Sequence, residues 1–122
     1  MALTVLVQHA NPDLRDSVSA ALVAAGMKVW PSWDGSEGLA LLQAAPVDAI
    51  LTGINMRKLC GFGFMEAVRR QPRLRDIPIL VMAISATPEL KARARNAGAA
   101  GWLPYPVDTA RLVETLRIVT GT

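Results

Sequence analysis

Chemistry at a protein site needs a nucleophile, a base or a set of metal ligands, and this chain offers few candidates. His9 is its only histidine and Cys60 its only cysteine. His9 follows directly on the apolar run Leu3–Gln8, where an imidazole could accept a phosphoryl group or respond to pH. It has no patterned metal partners and no orienting carboxylate, so a structural or solvated role is expected. Cys60 shares a loop with Arg57 and Lys58, whose charges favour a thiolate. One thiol cannot form an internal disulfide, and an inert loop cysteine is expected. Asp13, Asp16 and Asp34 fall at helix starts or on helix faces, where capping and the helix dipole account for them. No nucleophile–base pair or metal cluster can be assembled, so neither an enzyme nor a cofactor is expected.

The elements that position these residues follow from hydrophobic periodicity. Leu3–Gln8 reads as a strand, and Asn11-Pro12 then caps a helix with Leu14, Val18, Leu22 and Ala25 on one face, stopped at Gly26. Met27–Pro31 reads as a second strand. Asp34 opens a helix that turns Leu39 and Leu42 inward and ends near Pro46. Val47–Thr52 is the third strand, and a loop with Gly61 and Gly63 leads to a helix over Phe64–Arg70. Ile77–Ile84, the most continuous apolar run, reads as a fully buried strand. Thr87-Pro88-Glu89 starts a helix that ends at Asn96–Gly98, Gly101–Leu103 is a short fifth strand, and Asp108 caps a helix with Leu112, Val113, Leu116 and Val119 inside. Alternating β and α elements imply one doubly wound α/β domain over residues 1–122, with a parallel sheet covered on both faces.

The bulk properties set the surroundings. With 122 residues, about half of them apolar, the chain can bury a core. No apolar stretch approaches the roughly 20 residues of a membrane span. MALTVLVQ reads as a strand and not as a signal peptide, so a cytoplasmic location is expected. The net charge is only +3, but Arg57, Lys58, Arg69, Arg70, Arg73 and Arg75 face a single acid, Glu66, along the chain. A solvated surface is the expected reading of that cluster. No nucleic-acid reading module is visible, and non-specific binding alone would be expected from it.

In a doubly wound sheet, ligands bind at the carboxyl ends of the strands. These tips carry Gln8-His9-Ala10, Thr52-Gly53, Ala83-Ile84 and Pro104-Tyr105-Pro106, with no carboxylate or lysine among them. The stretches VLVQHANPDLRDSV, WDGSEGLALL, VDAILTGINM, GFGFMEAVRR, IPILVMAISA, ARNAGAAGWLPYPVD and ARLVETLRIV, spread over the whole chain, resemble a response-regulator receiver domain. The resemblance implies a flavodoxin-like (βα)₅ fold with strand order 2-1-3-4-5. It also implies phosphotransfer from a histidine kinase to an aspartate on the third strand, assisted by Mg²⁺ on an acidic pair, a Ser/Thr and a lysine. Matched residue by residue, the acidic pair falls on His9 and Ala10, the phosphoacceptor on Gly53, the Ser/Thr on Ala83 and the lysine on Tyr105. Glycine offers no nucleophilic oxygen, and the carboxylates that would hold Mg²⁺ are replaced.

The resemblance therefore points to a phosphorylation-independent pseudo-receiver acting as a protein-interaction module in two-component-type signalling. His9 and Tyr105 are expected to fill the volume left by the missing carboxylates. Trp102 takes the place of an aromatic that the family swings inward, and with Ala83 opposite it is expected to be held in one rotamer. Lys91 and Arg95, four apart, share a helix face. With Trp102 and Arg111 they border the surface that receiver domains use for partners and for homodimers through helix 4, strand 5 and helix 5. Their charges suggest a signalling partner with an acidic surface. Trp30 and Trp33 are expected to cover a sheet edge. The alternative is a small-ligand sensor using the carboxylate-free crevice.

Overall fold

The computed structural model describes residues 2–84 and 86–122. Strands and helices alternate along the chain: β1 (Thr4–Gln8), α1 (Pro12–Ala24), β2 (Lys28–Ser32), α2 (Gly35–Ala44), β3 (Ala49–Thr52), α3 (Gly61–Arg70), β4 (Ile79–Met82), α4 (Pro88–Ala97), β5 (Gly101–Leu103) and α5 (Thr109–Thr120). All neighbouring strands are parallel and lie in the order β2-β1-β3-β4-β5. This is the doubly wound flavodoxin-like arrangement, with its reversal of strand order between β1 and β3.

Two aliphatic layers sandwich the sheet. Leu6, Ile50, Ile79 and Val81 face α2, α3 and α4 through Leu42, Phe64, Met65, Val68 and Ala94. Val5, Val7, Leu51, Leu80 and Met82 face α1 and α5 through Val18, Leu22, Leu112 and Leu116. Strict alternation along each strand assigns each residue to one layer, as the period of two demands.

The helix starts follow their capping residues. Asn11 Oδ1 accepts from the Asp13 and Leu14 amides, Asp34 from Glu37, Thr87 from Leu90 and Asp108 from Arg111. Gly26 and Gly98 take positive φ just after their helices. The strands are less faithful to their apolar runs. Ile77 and Ile84 lie outside β4, and Ile84 is 76% exposed, because pairing with β3 and β5 together spans only Ile79–Met82. The helix expected over Phe64–Arg70 begins three residues sooner, at Gly61. Its first residue packs on the backbone at the end of β3, where the Gly61 N–H donates to Ile54 O (2.8 Å) and a Cβ would collide with Gly53 O. Close backbone approach, not loop flexibility, is what this glycine supplies.

Candidate functional site

The tips of β1, β3 and β4 meet at one crevice, and His9 occupies its centre. The Gly53 N–H donates to Gln8 O (2.8 Å), which brings the two tips side by side. The imidazole then lies over Gly53: a Cβ at that position would stand 2.7 Å from His9 Cδ2, closer than real Cβ contacts come. His9 Nδ1 accepts from the Asn11 N–H (3.0 Å), so the ring proton of the neutral form sits on Nε2. Burial holds the His9 pKa below its ordinary value. A backbone hydrogen bond to Met82 opposes that shift, and the Arg15 charge adds to it. Arg15 itself is fixed, with Nη1 donating to His9 O (2.7 Å) and the guanidinium stacked 4.6 Å from the Trp33 ring centre.

Beneath the ring is a polar layer whose role the sequence reading missed. Gln8, Ser32 and Thr52 are fully buried at the ends of β1, β2 and β3. Gln8 Nε2 donates to Thr52 Oγ1 (3.0 Å), and the single Ser32 hydroxyl proton is shared between Asp34 O (2.9 Å) and Gln8 Oε1 (3.3 Å). The Gln8 amide fits only because Gly38 has no side chain, since a Cβ there would overlap Oε1. A glutamine closing a strand that is otherwise apolar was the available signal. Its hydrogen-bond partners are 24 and 44 residues away in sequence.

The remaining strand-tip positions are distributed unevenly. Ala83 joins His9, Ile54, Asn55, Met82, Ile84 and Leu90 around a mainly apolar cleft of about 260 Å³. Ala10 is exposed at the head of the loop into α1. Tyr105 corrects the expectation that it fills the crevice together with His9. Its side chain is 47% exposed and lines a separate groove between α1 and α5 with Asp13, Leu14, Ser17 and Val107. The Tyr105–Pro106 peptide is cis. Among the described residues, no group of three or more His, Cys, Asp and Glu side chains converges on a metal-sized space.

On the far edge, Lys91, Arg95, Trp102 and Arg111 are brought together around β5. Lys91, Arg95 and Trp102 line a cleft of about 210 Å³ on the α4 side. Arg111 and Trp102 line a second cleft, about 280 Å³, on the α5 side. The Trp102 ring is half-buried against the α2–α4 layer, and its Nε1 is buried with no hydrogen-bond partner among the described residues. The other basic residues do not form one patch. Arg69 donates to Arg75 O, Ile77 O and Gly98 O, Arg73 to Leu42 O, and Arg93 stacks on Phe62 at 4.1 Å. Trp30 is 41% and Trp33 53% exposed; Trp30 lies on the outer strand β2, and Trp33 follows it under Arg15. Cys60 is exposed at the cap position of α3 and makes no side-chain cap bond.

Known proteins share this architecture and much of the sequence pattern. Residues 5–117 match the family model of the response regulator receiver domain. A gliding motility regulatory protein of Myxococcus xanthus is 34% identical over 101 residues, which are 83% of this chain but only 13% of that protein's length. A probable chemotaxis protein CheY of Rhizobium etli is 26% identical over 98% of this chain and 93% of its own. The chemotaxis response regulator CheY4 of Vibrio cholerae superimposes with a TM-score of 0.91 at 36% identity, covering 98% of this chain and 99% of that one. Fold, strand order and sequence agree, and the chain belongs to the response-regulator receiver domain family.

Proposed function

We propose that this domain is a pseudo-receiver: it acts in two-component signalling as a protein-interaction module whose state does not depend on phosphorylation at the third strand. The observation that carries this reading is the His9 ring seated where a side chain on residue 53 would project. A glycine there has no oxygen to phosphorylate, and the space an acyl phosphate would need is filled. Mg²⁺ does not fit the donors at this place. It wants hard oxygen ligands, typically carboxylates, and finds an imidazole, a methyl group and a bare Cα at His9, Ala10 and Gly53. Ala83 and Tyr105 supply no cation or hydroxyl over the crevice. The reading places partner binding on Lys91, Arg95, Trp102 and Arg111, facing an acidic signalling protein or a second copy of the domain.

The test is an amide-resolved spectrum of the labelled domain titrated with beryllofluoride and Mg²⁺. Resonances of residues 53, 83 and 102 are expected to stay in place, and a saturable shift at these residues would overturn the reading. The apolar cleft beside His9 and Ala83 supports a second reading, a sensor of a small apolar ligand. A concentration-dependent thermal shift in a metabolite screen, mapped to Ile54 and Leu90, would favour it.

A further inference from the structure

We propose that His9 is a proton-operated gate of the strand-tip crevice: when Nδ1 takes up a proton, the ring leaves its seat over Gly53 and that space opens into the apolar cleft beside it. The inference goes beyond the pseudo-receiver reading and gives the crevice an input other than a phosphoryl group.

The seat fits only the neutral ring. Nδ1 accepts from the Asn11 N–H at 3.0 Å, and a backbone hydrogen bond joins the ring to Met82. A neutral imidazole has one acceptor and one donor, which matches these two partners. An imidazolium has two donors and no acceptor. Its added proton would stand on the line to the Asn11 N–H, donor against donor, and turn a bond into a repulsion. Turning the ring over in place does not help, because that exchanges Nδ1 for Cδ2 and puts a C–H there instead.

The surroundings give a positive ring little reason to stay. Burial disfavours an imidazolium here, the Met82 bond favours it, and the Arg15 charge disfavours it. Arg15 reaches over from α1, with Nη1 donating to His9 O (2.7 Å). On the β2 side the His9 N–H donates to Ser32 O, and the Asp34 carboxylate nearby is turned to the Glu37 amide. From β3, β4 and α4 the described neighbours are Gly53, Ile54, Asn55, Met82, Ala83 and Leu90, none of which titrates. The way out is short. His9 is half-buried, and Ala10 and Asn11 beside it are exposed. In water the imidazolium finds acceptors for both donors, and the released Asn11 N–H is hydrated too. The vacated volume borders the cleft of about 260 Å³ that Ala83 and Leu90 line. The start of α1 is coupled to the change, since Asn11 Oδ1 caps it and Arg15 ties it to the His9 carbonyl.

The test follows the isotope-labelled chain by NMR from about pH 7.5 down to about pH 4.5. The His9 ring carbons should titrate with a midpoint below 6.5. The Gly53 α-protons, displaced by the ring above them, should move to ordinary glycine shifts with that same midpoint. The Asn11 and Leu14 amides should follow it. A neutral paramagnetic cosolute should broaden the Ala83 methyl below the midpoint and not above it. Arg15→Gln removes the like charge and should raise the midpoint of all these signals together. In His9→Asn the Gly53 signals should be flat over the same range, and circular dichroism at each pH reports whether each chain stays folded. A ring that titrates while the Gly53 α-protons stay in place would overturn the proposal, since the imidazolium then keeps its seat. A Gly53 transition that survives His9→Asn would assign the opening to another group and end the proposal. Unfolding of the parent chain before the ring titrates would end it as well, because the folded domain would then never open.

Discussion

Position 53 has no side chain because the space beside it is occupied. Gly53→Asp would press a Cβ against the His9 ring, and a flexible retreat is hindered because Nδ1 is held by the Asn11 amide. The substitution should destabilise the fold by about 1–3 kcal/mol, as overpacking does. In a His9→Ala background most of that cost should vanish, giving a coupling energy of about 1 kcal/mol or more in a urea-unfolding double-mutant cycle. Equal costs in both backgrounds would show that the ring does not guard the site. His9 also makes a pH prediction. Its folded pKa lies below the ordinary 6.5, so the unfolded chain takes up a proton that the native ring resists. Stability should therefore fall as pH drops through 6.5 and stop falling once the folded ring itself titrates. Subtracting the profile of His9→Asn from that of the parent isolates this contribution, and a flat difference between about pH 5 and 7.5 would contradict it. The sequence located His9 and Gly53 at adjacent strand tips. It did not show that one covers the other, nor that Tyr105 turns away toward α1, because both depend on side-chain direction after the chain has folded.

At the level of elements, Arg69 does more for the architecture than its place in a basic stretch suggested. From the last turn of α3 it donates to the carbonyls of Arg75 and Ile77, before β4, and of Gly98, after α4. It thereby ties the α3–β4 connection to the α4–β5 connection. Burial draws its pKa below the usual guanidinium value, with Asp76 opposing, yet the group remains charged. Gly98 is shaped around it, since its φ is +110° and a Cβ would stand 2.5 Å from Arg69 Nε. Arg69→Met keeps the stem but leaves these carbonyls without their donor. A loss of about 2–4 kcal/mol in chemical unfolding is expected. Arg69→Lys should recover only part of it, because an ammonium lacks the planar fork. A loss under about 0.5 kcal/mol for Arg69→Met would place the guanidinium in solvent for most of the time. Helix starts at Pro12, Gly35, Pro88 and Thr109 were legible from the residue before each, since capping is a local interaction. Strand ends were not, since β4 starts where it meets β3 at Ile79 and ends where it meets β5 at Met82.

For the molecule as a whole, two hydrophobic layers pack the faces of the sheet, while the residues lining the crevice at the strand tips include an imidazole and no carboxylate among the described residues. Any ion that binds the native state and not the unfolded one raises stability by RT ln(1 + [L]/Kd), about 2.7 kcal/mol at a hundred times Kd. A receiver with its carboxylate cluster gains from Mg²⁺ by this linkage. Here the crevice residues are His9, Gly53 and Ala83 over a Gln8–Ser32–Thr52 layer already bonded to itself. Carboxylates nearby in sequence lie elsewhere: Asp34 caps α2, Asp13 lies in the first turn of α1 facing the Tyr105 groove, and Asp48 accepts from the Thr4 amide at the start of β1. The melting temperature should therefore be the same in about 10 mM Mg²⁺ as in NaCl of matched ionic strength, where only general screening acts. A saturable rise with Mg²⁺ would mean that carboxylates outside the crevice gather around the ion in solution. Removing Asp13 and Asp16 by Asn substitution would then abolish the rise. A rise that survives those substitutions would place the ion at backbone carbonyls near Gly53 and return metal binding to the strand tips.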